Sequence, residues 1–252
     1  MSNYFVMEAL MIRLILVILF LVIFFILSIP MWIIEWIIGK FNKKAKDISS
    51  LRIVQFAFKC ILFICATKTT VIGMENIPKD EPVLFVGNHR GIFDVLIPYS
   101  RMPRATGFVA KKELEKIPGL NIWMRYLHCL FLDRDNMKEG LKTILKGIDL
   151  VKNDGISIAI FPEGTRSKGP DMLPFKEGSL KIAEKSGCKI VPMVQKNTRS
   201  IFEEQFPLLK KAKTVLEFGT PIDISTLDKD TRKFLGAYVQ NIIKEMYDKM
   251  EI

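Results

Sequence analysis

From Leu14 to Ile34 the chain reads LILVILFLVIFFILSIPMWII, a run without a charged residue. As a helix rising about 1.5 Å per residue it is roughly 30 Å long, the thickness of a bilayer core. A helix apolar on every side must be enclosed by protein or by lipid, so this run limits the architectures open to the chain. A cleaved signal peptide fits poorly, because the run is too long and no small-residue cleavage site follows. Trp32 and Trp36 instead suit interfacial anchors. Lys40, Lys43, Lys44 and Lys46 come next, a basic group fitted to anionic headgroups and to the cytoplasmic side. A second apolar stretch, Ile53 to Ala66, contains Gln55 and Lys59 and is short for an independent span. The two segments make either one span followed by an interfacial helix or a hairpin dipping into one leaflet. Pro30 allows a kink in either case. The expected division is a membrane anchor over residues 1–69, two apolar helices joined by a basic loop, and a second domain over 70–252.

With 252 residues the chain has room for one substantial domain and an attachment. A net charge of +10 accompanies a positive mean hydropathy of +0.22. Basic and apolar together point to an anionic membrane as partner, not nucleic acid, for which no recognisable module is present. Cys60, Cys65, Cys129 and Cys188 show neither CxxC spacing nor a His/Cys cluster. The expectation is reduced, mostly buried thiols, with no metal site.

Beyond Thr70 short β-rich runs alternate with helical stretches, an α/β pattern. Strands are expected at Val83–Val86, Thr106–Ala110, Cys129–Leu132, Ile156–Phe161, Ile190–Val194 and Thr214–Phe218. Helices are expected at Phe93–Tyr99, Lys112–Glu115, Gly119–Tyr126, Met137–Lys152, Gly178–Ser186 and Thr231–Met250. The last carries Phe234, Leu235, Tyr238, Ile242 and Met246 at helical spacing, as a core-packing face requires. Pro192 in the fifth strand signals an edge or an irregularity.

His89 and Asp94, in NHRGIFD, stand where a strand gives way to a helix. Gly91 permits the turn, so Asp94 can reach back to one imidazole nitrogen and leave the other for substrate, as base and orienter do in a serine hydrolase. A histidine capping a helix would give the same spacing. FPEGTRS follows the most apolar strand and offers backbone donors, the Thr165 hydroxyl and the Arg166 guanidinium, a set suited to phosphate. Phe131-Leu132-Asp133-Arg134 likewise ends a strand in an acid and an arginine.

These elements, in this order between about Ile72 and Ile222, resemble the 1-acylglycerol-3-phosphate acyltransferase family of the PlsC type. The resemblance extends to Val109-Ala110-Lys111-Lys112-Glu113-Leu114 and to Pro174-Phe175-Lys176-Glu177-Gly178. It implies a glycerolipid-acyltransferase-like mixed sheet flanked by helices, behind an N-terminal membrane-embedded two-helix segment, with residues 70–252 as the acyltransferase domain. It further implies transfer of a fatty acyl group from a thioester, acyl-CoA or an acylated acyl carrier protein, to the sn-2 hydroxyl of a lysophospholipid. His89 and Asp94 would be catalytic. Glu163, Gly164, Thr165 and Arg166 would hold the acceptor, with Arg134 and Lys111 as further phosphate contacts and Lys112 as an alternative to Lys111. No cofactor or metal is implied beyond the thioester co-substrate. Backbone amides near Gly91 are the expected oxyanion donors. The family often has glycine where this chain has His128, read as structural because no carboxylate lies at a comparable spacing. A hydrolase passing the acyl group to water, or a non-catalytic lysolipid binder, is the alternative. Gly155-Ile156-Ser157-Ile158-Ala159 fails the nucleophile-elbow pattern at its last position.

Overall fold

A computed structural model describes residues 2–169 and 171–252. The chain starts with two long helices, α1 (Ser2–Phe41) and α2 (Lys43–Ile64), which fold back on each other. Asn42 makes the turn by accepting the Ala45 N–H at 3.0 Å, an N-cap that starts α2. Lys43, Lys44 and Lys46 therefore lie in the first turn of α2 and not in a loop. Glu35, buried in α1, accepts the Ser49 and Ser50 hydroxyls at 2.6 and 3.0 Å and ties the two helices together near the turn. Pro30 lies inside α1, and the helix continues through it.

Met7–Phe41 is long and apolar enough to cross a membrane. Much of its apolar surface is exposed, including Ile15, Ile26, Ile29 and Ile33. The opposite side is fastened to the rest of the molecule. The Trp123 indole N–H donates to Ser28 Oγ at 2.9 Å, and the Tyr126 hydroxyl donates to the Trp32 carbonyl at 2.9 Å. Helix α2 is bedded more deeply still: Leu51, Val54, Ile61, Leu62 and Cys65 are buried in the same core as the sheet. Gln55, buried with them, donates to the carbonyls of Tyr99 and Met102 at 3.1 and 2.7 Å. A polar residue in an apolar stretch is thus a bond to the neighbouring layer.

The strands are β1 (Lys68–Ile72), β2 (Leu84–Gly87), β3 (Thr106–Lys111), β4 (Leu130–Leu132), β5 (Ser157–Ile160), β6 (Ile190–Lys196) and β7 (Lys213–Phe218). They form one sheet in the order β1-β7-β6-β2-β5-β3-β4, parallel throughout except for the β6–β7 pair. The remaining helices are α3 (Phe93–Tyr99), α4 (Leu120–Tyr126), α5 (Met137–Lys152), α6 (Lys181–Ser186), α7 (Lys229–Lys233) and α8 (Leu235–Lys249). Val83 and Phe85 face a layer containing α1 to α4, while Leu84 and Val86 face α5, α6 and α8. Val83 to Val86 are all fully buried, the continuous apolar run expected of a parallel strand covered on both faces. Each such side chain contributes roughly 1.5–3 kcal/mol of burial.

Several expectations change. Strand β1 was not read from the sequence, and the 69/70 boundary falls inside it. Lys112–Lys116 is a 3-10 turn. The stretch expected as a helix over 178–186 is a 3-10 turn followed by the six-residue α6. The terminal helix is interrupted at Phe234, which is exposed, and its core face is Leu235, Val239 and Ile243, with Ile242 and Met246 on the flank. Pro192 is not at an edge, since β6 lies between β7 and β2. It does mark an irregularity: pairing moves from Met193 opposite Phe218 to Ile190 opposite Ile222, which leaves an extra residue on the β7 side. Of the cysteines, Cys65 is buried and the other three are partly so. All are free.

Candidate active site

Strand β2 delivers Asn88 and His89 to the carboxyl edge of the sheet. Asn88 is clamped there by a reciprocal pair: its amide donates to the Gln195 carbonyl, and the Gln195 N–H donates to its Oδ1, both at 2.9 Å. The Gln195 side chain donates onward to the Asp94 carbonyl at 2.9 Å and so fixes the start of α3. Asp94 Oδ2 lies 3.0 Å from His89 Nδ1 and also accepts the backbone N–H groups of Arg90 and Gly91. Asp94 is fully buried, whereas the His89 side chain keeps 15% of its surface. A carboxylate offers no proton, so Nδ1 carries one toward Asp94 and Nε2 keeps its lone pair. The imidazole lies flat on the Phe161 ring, with centroids 4.3 Å apart and planes 10° from parallel. Two of its freedoms, tautomer and tilt, are thus set by neighbours.

Phe161 ends β5 and leads into the second motif. Glu163 is buried, and its two oxygens accept the His89 N–H at 2.6 Å and the Leu173 N–H at 2.9 Å. Burial pushes its pKa up, and the two backbone donors act against that rise. With both oxygens engaged by backbone, Glu163 braces the motifs against each other. Ser167 N–H donates to the His89 carbonyl at 2.8 Å, a second tie. Thr165 and Arg166 project outward between these ties and are exposed. Gly164 turns the chain at φ +74°, and a methyl there would meet the Lys176 ammonium. Lys176, which the sequence reading gave no role, therefore joins Arg166 and Thr165 at the mouth of the site.

Glu203 was missed altogether. Its Oε1 accepts the Ile92 N–H at 2.7 Å and lies 3.7 Å from Arg166 Nη1. Gly91 faces this carboxylate, where a Cβ would be 2.6 Å from Oε2. Burial raises the Glu203 pKa, with Arg166 acting the other way. No periodicity or motif marks Phe202-Glu203-Glu204-Gln205-Phe206, a 3-10 turn whose role depends on folding. The amides near Gly91 are not free to meet an oxyanion: Arg90 and Gly91 donate to Asp94, and Ile92 donates to Glu203.

Lys111 and Arg134 are not brought to His89. They line a separate cleft of about 340 Å³ at the ends of β3 and β4, and at ~4.8 Å per strand these are roughly 10 and 14 Å across the sheet from β2. Lys111 pairs with Glu113 at 2.7 Å and Lys112 with Asp133 at 2.8 Å. Asp133 also accepts the Asp135 and Asn136 N–H groups, which makes it a turn former ahead of α5. His128 does have a carboxylate partner, contrary to the expectation from spacing: Asp47 of α2 lies 2.9 Å from its Nε2. Among the described residues no group of three or more acidic, His or Cys side chains could hold a metal ion.

A buried acid orienting a mostly buried histidine, beside an exposed guanidinium and ammonium, is an arrangement that can move a proton next to an anionic group. Residues 68–196 match the model of the acyltransferase family, and the chain belongs to it. Among named relatives, the 1-acyl-sn-glycerol-3-phosphate acyltransferase of Borreliella burgdorferi is 30% identical over 81% of this chain and 81% of its own length. That of Haemophilus influenzae is 32% identical over 70% and 74%. That of Saccharomyces cerevisiae is 30% identical over 72% of this chain, which spans 59% of the yeast protein. The crystal structure of the LPA acyltransferase PlsC from Thermotoga maritima superposes with a TM-score of 0.74 at 24% identity, over 96% of this chain and 98% of that one. The fold is therefore shared with that protein, α1 and α2 included.

Proposed function

We propose that this protein transfers a fatty acyl group from a thioester, carried by coenzyme A or by acyl carrier protein, to the sn-2 hydroxyl of lysophosphatidic acid, giving phosphatidic acid. The observation that carries the reading is the oriented His89, with Nδ1 held by Asp94, standing beside Arg166 and Lys176. The names of the relatives supply the acceptor.

In the proposed reaction His89 Nε2 takes the proton of the sn-2 hydroxyl as its oxygen attacks the thioester carbonyl. The tetrahedral intermediate collapses by expelling the thiolate, and the imidazolium returns its proton to the sulfur. Asp94 stabilises the imidazolium without accepting the proton. No covalent acyl-enzyme is needed, because both substrates are held in one geometry. Arg166 and Lys176 bind the acceptor phosphate, with the Thr165 hydroxyl beside them. Glu163 acts through His89 and the loop and does not touch the phosphate.

Acceptor and product are membrane lipids, and the exposed apolar side of α1 with the lysines at the α1–α2 turn suits a lipid surface on its cytoplasmic side. Purified protein in vesicles, given a panel of lysophospholipids and both donor types with products weighed by mass spectrometry, tests the reading. Phosphatidic acid is the expected product. Free fatty acid alone would replace the reading with hydrolysis.

A further inference from the structure

Helix α5 exposes three apolar side chains one helical turn apart: Met137 at 91% of its surface, Leu141 at 59% and Leu145 at 55%. Its opposite side is core, with Leu150 and Val151 buried against the sheet. Each exposed apolar residue is followed directly by a lysine: Lys138, Lys142 and Lys146. Side chains four positions apart share a helix face, so a short apolar stripe runs beside a row of positive charge. Lys142 is paired with Glu139 at 2.7 Å. Among the described residues Lys138 and Lys146 form no ion pair, and neither do Lys116 and Arg134 at the mouth of the adjoining cleft. The N-terminal end of α5 borders that cleft, on the same edge of the sheet as His89.

We propose that this face of α5 docks an acidic carrier protein that brings the acyl group to the site as a thioester. The proposal rests on the acyl-transfer reading and names the form in which its donor arrives. Unpaired lysines beside a narrow apolar stripe complement a protein surface of carboxylates around a small apolar patch. A bilayer is the less suitable occupant, because α5 covers the sheet face opposite the one that carries α1 and α2. The lipid-facing side of α1 lies beyond that other layer. The adjoining cleft opens on the same edge of the sheet as His89.

The test compares two donors on the full chain in vesicles containing lysophosphatidic acid: palmitoyl-CoA, and palmitate carried on purified acyl carrier protein. The double variant Lys138→Glu/Lys146→Glu alters outward charges, and Leu141→Ser/Leu145→Ser removes two of the three apolar side chains of the stripe without touching the buried face. Either is expected to raise the KM for the carrier-bound donor about tenfold and to leave that for palmitoyl-CoA within about twofold. Equal rises for both donors, or no change for either, would overturn the proposal. So would loss of vesicle binding with an unchanged carrier KM, which would make α5 a lipid contact. A wild type that uses palmitoyl-CoA but not the carrier thioester would overturn it while leaving acyl transfer intact. Failure with both donors would instead remove the acyl-transfer reading beneath it.

Discussion

The Glu163 carboxylate accepts the backbone N–H of His89 at 2.6 Å, across 74 positions of sequence. His89 and the loop from Glu163 to Ser167 are therefore tied together, and the Ser167 N–H on the His89 carbonyl holds them a second time. In the proposed reaction, an acceptor held at its phosphate by that loop would have its hydroxyl positioned against the imidazole. Positioning of this kind lets a reaction proceed without a protein nucleophile.

Replacing Glu163 by Gln tests the brace through pH. Burial holds the Glu163 pKa above its ordinary 4.5, so the folded state keeps a proton that the unfolded chain has released. That contribution to stability is fully present below 4.5 and is lost as pH rises through the raised value. Chemical denaturation of both proteins should show the advantage of wild type over Glu163→Gln shrinking as pH climbs above 4.5. An advantage that grows over this range contradicts the raised pKa.

Glu203 touches both the turn after His89 and Arg166. Glu203→Gln keeps an oxygen for the Ile92 N–H but removes the charge that orients the guanidinium. The acceptor KM should rise about threefold to tenfold with kcat nearly unchanged, the mark of a lost binding contact. A fall in kcat at unchanged KM would place Glu203 in the chemistry instead.

Gln55 separates anchor from fold. Gln55→Leu leaves the Met102 carbonyl without its buried donor, at about 1–3 kcal/mol for an orphaned group, and the Tyr99 carbonyl with only the Met102 N–H at 3.3 Å. The melting temperature in detergent should fall by several degrees, while vesicle binding through α1 stays as it was. An unchanged melting temperature would mean that α2 is not part of the cooperative unit.

The elements legible in the sequence were those whose signals are local. Phe93–Tyr99 and Met137–Lys152 have the bounds that their patterns gave, the second started by the Asn136 side chain capping Lys138 and Glu139. His89 and Asp94 were legible as a pair because the turn between them is short. Strand β1 escaped because it is an edge strand of alternating exposure, Lys68 to Ile72, without a continuous apolar run. The burial of α2 escaped because an apolar helix face reads the same against lipid or against a sheet. Glu203 and the Asp47 partner of His128 escaped because their roles depend on tertiary contacts, at separations of 111 positions from Ile92 and 81 from His128. Arg134 and Lys111 look equivalent to Arg166 as strand-end cations, and strand order alone moves them into another cleft.

The most direct test of the account is the initial rate of phosphatidic acid formation by purified His89→Ala, measured beside wild type in the same vesicles, with thermal unfolding showing that both are folded. If His89 is the base that deprotonates the acceptor hydroxyl, the rate falls by about 10²- to 10⁴-fold while vesicle binding persists. A folded His89→Ala protein that transfers acyl groups at the wild-type rate would contradict it.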